Sequence, residues 1–94
     1  MHIILKKKIT DYIKLHPDSN TPLLSWYAIA NAENFSDFND LRNWFPHADL
    51  VGRRTVFNIG GNKYRMITRV NFISHKIFIL KILPHAEYSK DKWK

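Results

Sequence analysis

The chain has 94 residues, 45% of them hydrophobic, with no cysteine and a formal net charge of +7. That length allows one domain with one modest core, expected to span 1–94, and its aromatic content excludes a disordered tail. The missing cysteines exclude disulfides, thiolate metal sites and cysteine nucleophiles, and no stretch approaches the ~20 apolar residues of a membrane span.

The opening residues place a short apolar run, Ile3 to Leu5, ahead of Lys6, Lys7 and Lys8. This is the reverse of a secretory leader, so a soluble, cytoplasmic protein without a membrane partner is expected. Ile3, Ile4 and Leu5 themselves predict a short edge strand. Residues 6–15 predict a helix with Ile9, Tyr12 and Ile13 on one face and lysines on the other. His16, Pro17 and Asp18 break it. Thr21 followed by Pro22 reads as an N-cap with proline in the first helical position. The helix behind it buries Leu23, Trp26, Tyr27 and Ala30, at spacings of three and four. Ser36 is expected to cap a shorter helix that turns Phe38, Leu41 and Phe45 inward and stops at Pro46.

Beyond Pro46 the periodicity changes. Residues 55–59 and 63–73 alternate in character, separated by Gly60 and Gly61, a pair suited to the positive φ of a tight hairpin. Residues 76–83 are almost uniformly apolar, the pattern of a central strand covered on both faces, and end at Pro84. The predicted fold class is α+β: a short N-terminal strand, then two to three helices packed on one face of an antiparallel β-sheet, in the order β-α-α-(α)-β-β-β. The last six residues, 89–94, are polar except for Trp93 and are expected to fray or to dock a partner.

The charge is concentrated in the second half. Residues 1–49 carry five Lys/Arg against six Asp/Glu, whereas residues 50–94 carry ten against two. Between Asp49 and Glu87 lie Arg53, Arg54, Lys63, Arg65, Arg69, Lys76 and Lys81, with no acid among them. In residues 63–73, alternation turns Tyr64, Met66, Thr68, Val70 and Phe72 to the core and Lys63, Arg65, Ile67, Arg69 and Asn71 outward. Alternate strand positions are ~6.6 Å apart, close to the spacing of phosphates along a single nucleic-acid strand. A single outward lysine is ordinarily just solvated. A run of seven cations without an acid reads as an RNA-binding surface, with Arg53, Arg54, Lys63, Arg69 and Lys81 as backbone contacts. The place of Lys81 depends on register. A two-residue turn at Ser74 and His75 puts Arg69 opposite Leu80 and Lys81 on the core side near Thr68. A three-residue turn puts Lys81 beside Arg69 and His85 beside Arg65.

His85 and Tyr88 follow the last strand, where loop residues project from a rigid support. His85 has the chemistry of a general acid or base, Tyr88 that of a stacking or proton-exchanging group, and Arg65 that of a stabiliser of charge on pentacoordinate phosphorus. Together they suffice for metal-free RNA cleavage by the adjacent 2′-oxygen, needing no cofactor and no nucleophile from the protein. A lone His-x-x-Tyr after a strand is more often surface packing, so the residues alone support binding more strongly than cutting. His2, His16, His47 and His75 are scattered at turns and termini without ligand spacing, and no metal site is expected. Gly60-Gly61-Asn62 lacks the rest of a phosphate-binding loop and reads as a turn.

Val56 to Arg65 and His85 to Tyr88, with Lys90 behind them, resemble the HigB toxins of the RelE/ParE superfamily. His16 to Asp18 and Pro22 to Tyr27 are similar too, so the likeness spans nearly the whole chain. It implies a ribosome-dependent endoribonuclease (an mRNA interferase) that enters the decoding site of the small ribosomal subunit and cuts translated mRNA. It also implies a helix-turn-helix, HigA-like antitoxin that masks the toxin and represses the shared operon. Arg65, His85 and Tyr88 match positions expected at the catalytic end of the sheet, and Lys63 and Arg69 match positions expected to hold the RNA backbone. One departure stands out: the family pattern has arginine where this chain has Leu80, and the cation here lies one place on, at Lys81. Two alternatives remain open from the sequence, a gyrase-targeting toxin of the same superfamily and a non-catalytic ribosome- or RNA-binding module.

Overall fold

Three apolar helix faces and one alternating sheet face need each other for burial, and their union defines the fold. The computed structural model describes residues 1–90; the remainder of the tail, Trp93 included, lies outside the described residues. Five strands, β1 (His2–Ile4), β2 (Asp49–Val51), β3 (Arg54–Ile59), β4 (Tyr64–Asn71) and β5 (Lys76–Pro84), form one sheet in the order β1-β5-β4-β3-β2. Helices α1 (Lys7–Leu15), α2 (Asn20–Ala32) and α3 (Phe38–Trp44) pack on one face of it, and a single-turn helix, α4 (His85–Tyr88), follows β5. The α+β class and the helices-on-one-face arrangement agree with the sequence. The sheet is antiparallel throughout β2 to β5, while β1 joins β5 in parallel, Ile3 opposite Ile77.

The main core is built from the residues that the two periodicities select. Ile9, Leu23, Trp26, Ala30 and Leu41 come from the helices and Phe57, Ile59, Met66, Ile77, Ile79 and Ile82 from the strands, all buried. Thr55 and Thr68, directly opposite each other, are buried polar members of that sheet face, and the Thr68 hydroxyl donates to the Thr55 carbonyl at 2.8 Å. Helix starts differ from expectation by small, explicable amounts. A 3₁₀ turn at Pro17–Ser19 runs directly into α2, which therefore begins at Asn20 and takes Pro22 within its first turn, where a missing N–H costs nothing. Helix α3 is capped by Asp37, whose carboxylate accepts the Asp40 N–H at 2.8 Å, while the Asp40 carboxylate reaches back to the Ser36 N–H and hydroxyl. Ser36 thus supports the cap instead of supplying it.

The β4–β5 hairpin overturns both expected registers. Asn71 ends β4 early because its carboxamide oxygen accepts the N–H groups of Ile73 and Ser74, at 3.1 and 3.0 Å. The loop is consequently four residues long, 72–75, with Asn71 opposite Lys76 and Arg69 opposite Phe78. Continued unbroken, that register would turn Lys81 into the core beside Met66, at a large desolvation cost. A β-bulge at Ile67/Thr68 prevents this: Thr68 pairs with Ile79, but Ile67 pairs with Lys81. Leu80 and Lys81 then both lie on the outer side, and Ile82 and Leu83 are set for the inner and outer faces. Strand β5 is an interior strand of the sheet, but its outer side is only half covered, Phe78 and Leu80 being partly buried and Lys81 exposed.

At the end of the sheet nearest α4, Tyr12 stacks on His16 at 4.3 Å between ring centroids and meets Tyr64 edge-on. The Tyr64 hydroxyl donates to the Asp18 carboxylate at 2.7 Å, which holds that carboxyl below its usual value. Among the described residues the buried Tyr12 hydroxyl has no hydrogen-bond partner, and burial, aided by Tyr64, Glu87 and Asp18, pushes its pKa up to about 12. In the unfolded chain this phenol ionises near its ordinary value of 10.0. Tyr12 therefore contributes stability that is intact below that pH and lost as pH rises towards 12. Tyr12→Phe is expected to keep or raise the melting temperature at neutral pH and to blunt the alkaline loss. Melting curves across this pH range check both, and a large neutral-pH destabilisation would contradict the unpartnered hydroxyl.

Candidate nucleic-acid interface

The sheet face away from the helices carries the cations, but its middle is apolar. Val56, Ile67 and Leu83 are buried there in a small cluster of their own, flanked by Val51, Leu80 and Tyr88. Arg65 and Arg69, outward on β4 to either side of Ile67, stand at opposite ends of this island, ~13 Å apart along the strand.

The two arginines have different surroundings. Arg69 is exposed and borders a depression shared with Leu5, Phe78 and Leu80. Arg65 is only 9% exposed. Its guanidinium lies over the Tyr88 ring, 5.5 Å from the centroid, and donates to the Tyr64 carbonyl at 3.2 Å and, loosely, to Asn62 Oδ1 at 3.4 Å. Among the described residues no carboxylate pairs with it. Arginine stays charged at any accessible pH and is rarely buried without a counter-charge. A ring face and two neutral acceptors compensate little of its lost hydration. What remains is a fixed, poorly hydrated positive charge open to a cleft, an arrangement suited to an anion that brings its own charge.

The cleft measures about 330 Å³ and is lined by Arg65, Tyr88, Arg42, His47, Asp49 and Asn58, among others. Asn58 sits directly opposite Arg65 across the β3–β4 ladder. The loop from α3 to β2 supplies His47, and the Arg42 guanidinium is steadied by the Pro46 carbonyl at 3.3 Å. Asp49 brings one carboxylate to the same wall. A second cleft of about 510 Å³ shares His47 and Asn58 with the first and continues to Trp44 and Asn62. Arg42, His47 and Asn58 were not singled out as site residues from the sequence. His47 there is one of several scattered imidazoles, and only the path of the α3–β2 loop brings it to Arg65.

Strand β5 carries the remaining pieces. Arg65 pairs with Leu83, and the ladder extends beyond Pro84 through the His85 N–H, which donates to the Lys63 carbonyl at 2.9 Å. Pro84 stands at the N-cap of α4, and of the two candidate residues on that turn Tyr88 lines the Arg65 cleft whereas His85 is not among its lining residues. Tyr88 reaches the Arg65 guanidinium, whereas the His85 ring is exposed, with Nε2 3.4 Å from the Ser89 hydroxyl.

The other basic residues are spread out. The Lys63 ammonium is 3.8 Å from Asp18, which draws it towards the helical side. Arg53 is exposed in the β2–β3 turn, and Arg54, on the outer side next to Thr55, lies near the Arg69 end. Lys81 is exposed opposite Ile67, at the edge of the apolar island. Like Arg42, Lys8 was not singled out as a site residue from the sequence: from α1 it donates to the bulge carbonyl of Leu80, the residue before Lys81, at 2.8 Å. The bulge also answers the Leu80/Lys81 departure, because both positions face outward and a charge at either reaches the same surface.

Residues 19–91 match the HigB toxin family, described as the RelE-like toxic component of a toxin–antitoxin system. The chain is 33% identical over 93 residues to the mRNA interferase HigB of Escherichia coli O6:H1 strain CFT073, covering 96% of this chain and 90% of that protein. It is 31% identical over 91 residues to the mRNA interferase toxin HigB of Escherichia coli K12, covering 94% of this chain and 88% of that one. The mRNA interferase HigB of Shigella flexneri matches to the same extent.

If Arg65 is a charge held at a cost, an apolar side chain of similar length fits the fold at least as well. Arg65→Met is expected to leave the melting temperature unchanged or a few degrees higher. Thermal unfolding monitored by circular dichroism checks this; a drop of more than ~10 °C would instead make the guanidinium a structural brace.

Proposed function

The chain belongs to the HigB family of RelE-like toxins, and we propose that it arrests growth by cutting messenger RNA. The observation that carries the reading is the buried Arg65 guanidinium, left without a carboxylate among the described residues and open to a cleft. A phosphodiester placed there supplies the missing charge, and the guanidinium binds it most strongly when a further negative charge builds on the phosphoryl oxygens. The ribose 2′-oxygen attacks the adjacent phosphorus, giving up its proton to a base, and the bond to the 5′-oxygen breaks as that oxygen takes a proton. The products are a 2′,3′-cyclic phosphate and a 5′-hydroxyl end. No water, metal or protein nucleophile enters the balance.

His85 is assigned to proton transfer and Tyr88 to orienting the ribose or stacking on a base while its ring supports Arg65. Arg53, Arg54, Lys63, Arg69 and Lys81 are assigned to the RNA backbone, with Lys8 and Arg42 added by their positions. In this reading the exposed cations act within the decoding site of the ribosome, where mRNA is presented as a single strand. A cytoplasmic location follows from that substrate; among the described residues no helix is long and apolar enough to cross a membrane. As a component of a toxin–antitoxin system the protein has a cognate antitoxin, and we assign that role to a helix-turn-helix, HigA-like protein.

Mapping of RNA 5′ ends after brief induction is expected to find cuts inside translated frames, and none in the same transcript without its start codon. Arg65→Ala and His85→Ala are each expected to lower cleavage by ~10²-fold or more. A 2′-deoxy nucleotide at the cut is expected to block it. Intact mRNA with accumulating DNA breaks would refute the nuclease in favour of a gyrase-binding toxin.

A further inference from the structure

The geometry points to a base-binding subsite beside the phosphate seat, formed by Trp44, His47 and Asn58, that takes the nucleotide flanking the scissile phosphate and sets cleavage preference. The inference rests on the RNA-cutting reading above and assigns residues beyond it. Four observations carry it.

The first is continuity. His47 and Asn58 line both the Arg65 cleft and the neighbouring one, so a strand whose phosphate lies at Arg65 can place its next base there without crossing a wall. The second is distance. Asn58 is the direct cross-strand neighbour of Arg65, and such neighbours have Cβ atoms ~5 Å apart, within one nucleotide's reach of the phosphate. The third is unused hydrogen-bonding capacity. Among the described residues neither the Asn58 carboxamide nor the His47 ring has a hydrogen-bond partner, although Asn58 is half-buried. A carboxamide offers one acceptor and two donors and can read a base edge. The nearby Asn62 differs, because its carbonyl oxygen is taken by Arg65.

The fourth is the platform. Trp44, the last residue of α3, is 47% exposed and lines the far part of the cleft. Exposed indole beside unspent polar groups matches the way proteins hold single-stranded bases: the ring stacks on any base, and the polar groups choose among them. Asp49 lies on the wall of the Arg65 cleft and does not line the Trp44 cleft, so the base end of the groove carries no carboxylate among its lining residues. The apolar walls there, Phe45 and Phe57, suit a base and not a second phosphate.

The test is mapping of RNA 5′ ends after brief induction of the wild-type chain, Trp44→Ala, Trp44→Phe and Asn58→Ala, each verified as folded by its melting curve. The wild type is expected to favour particular bases next to the cut. Trp44→Ala is expected to flatten that preference and slow cleavage roughly tenfold, and Trp44→Phe to restore both. Asn58→Ala is expected to change which base is favoured while cutting continues. Unchanged base distribution and rate in folded Trp44→Ala and Asn58→Ala would overturn the subsite while leaving the nuclease in place. So would a change confined to neutralisation by the antitoxin, which would make this groove a protein contact. A wild-type chain that cuts no RNA would overturn the nuclease reading itself.

Discussion

One charge with no carboxylate partner among the described residues organises this surface: the guanidinium of Arg65, buried against Tyr88 and held by two neutral acceptors. Each surrounding element supports it in that position. Strand β3 puts Asn58 opposite it, the turn after β3 supplies Asn62, and β5 ends one residue past Leu83, at Pro84, so that α4 follows at once and brings Tyr88 to the guanidinium. A protein gains no stability by arranging this. Such a charge is the kind of local cost that folded chains carry where a ligand will repay it.

The β-bulge is the second device. An almost uniformly apolar strand contains one lysine, and a regular ladder would bury it. The extra residue lets Leu80 and Lys81 share the outer side and leaves the Leu80 carbonyl free for the Lys8 ammonium. One irregularity therefore avoids a buried lysine, adds a cation from a distant helix and sets Leu83 opposite Arg65. The outer face and the core are both arranged by the same shift of one residue.

Much of this was legible in the sequence because it depends on local periodicity. The apolar spacing of Ile9, Tyr12 and Ile13 and of Leu23, Trp26 and Ala30 marked α1 and α2. The positive φ angles at Gly60 and Gly61, +63° and +67°, are the reason a glycine pair announces that turn. Alternation placed Met66 and Thr68 inward and Arg69 outward. What escaped depends on single side chains acting on the backbone. Asn71 captured two N–H groups and lengthened the hairpin loop, and no pattern in residues 72–75 distinguishes that loop from a shorter one. The bulge is a response to Lys81 and becomes visible only once the neighbouring strand's register is known. The sequence singled out Arg65 as a candidate catalytic cation on the outer face but not its burial, because alternation gives a residue's side of the sheet and not how deeply its neighbours cover it. His47 and Asn58 escaped for a different reason: they come from separate segments, and only tertiary packing gives them a common cleft.

In the proposed function the exposed cations and Arg65 divide the work of binding RNA. Exposed lysines and arginines supply attraction that is long-ranged and salt-sensitive, whereas Arg65 supplies a single well-defined seat. The arginine Nε–H resonances, followed by NMR during titration with a short RNA made uncleavable by 2′-O-methyl groups, separate the two contributions. The Arg65 resonance is predicted to move saturably and to persist at salt concentrations that abolish the shift of the exposed Arg53. An Arg65 resonance that stays fixed while only the exposed arginines respond would contradict the phosphate seat on which the whole account depends.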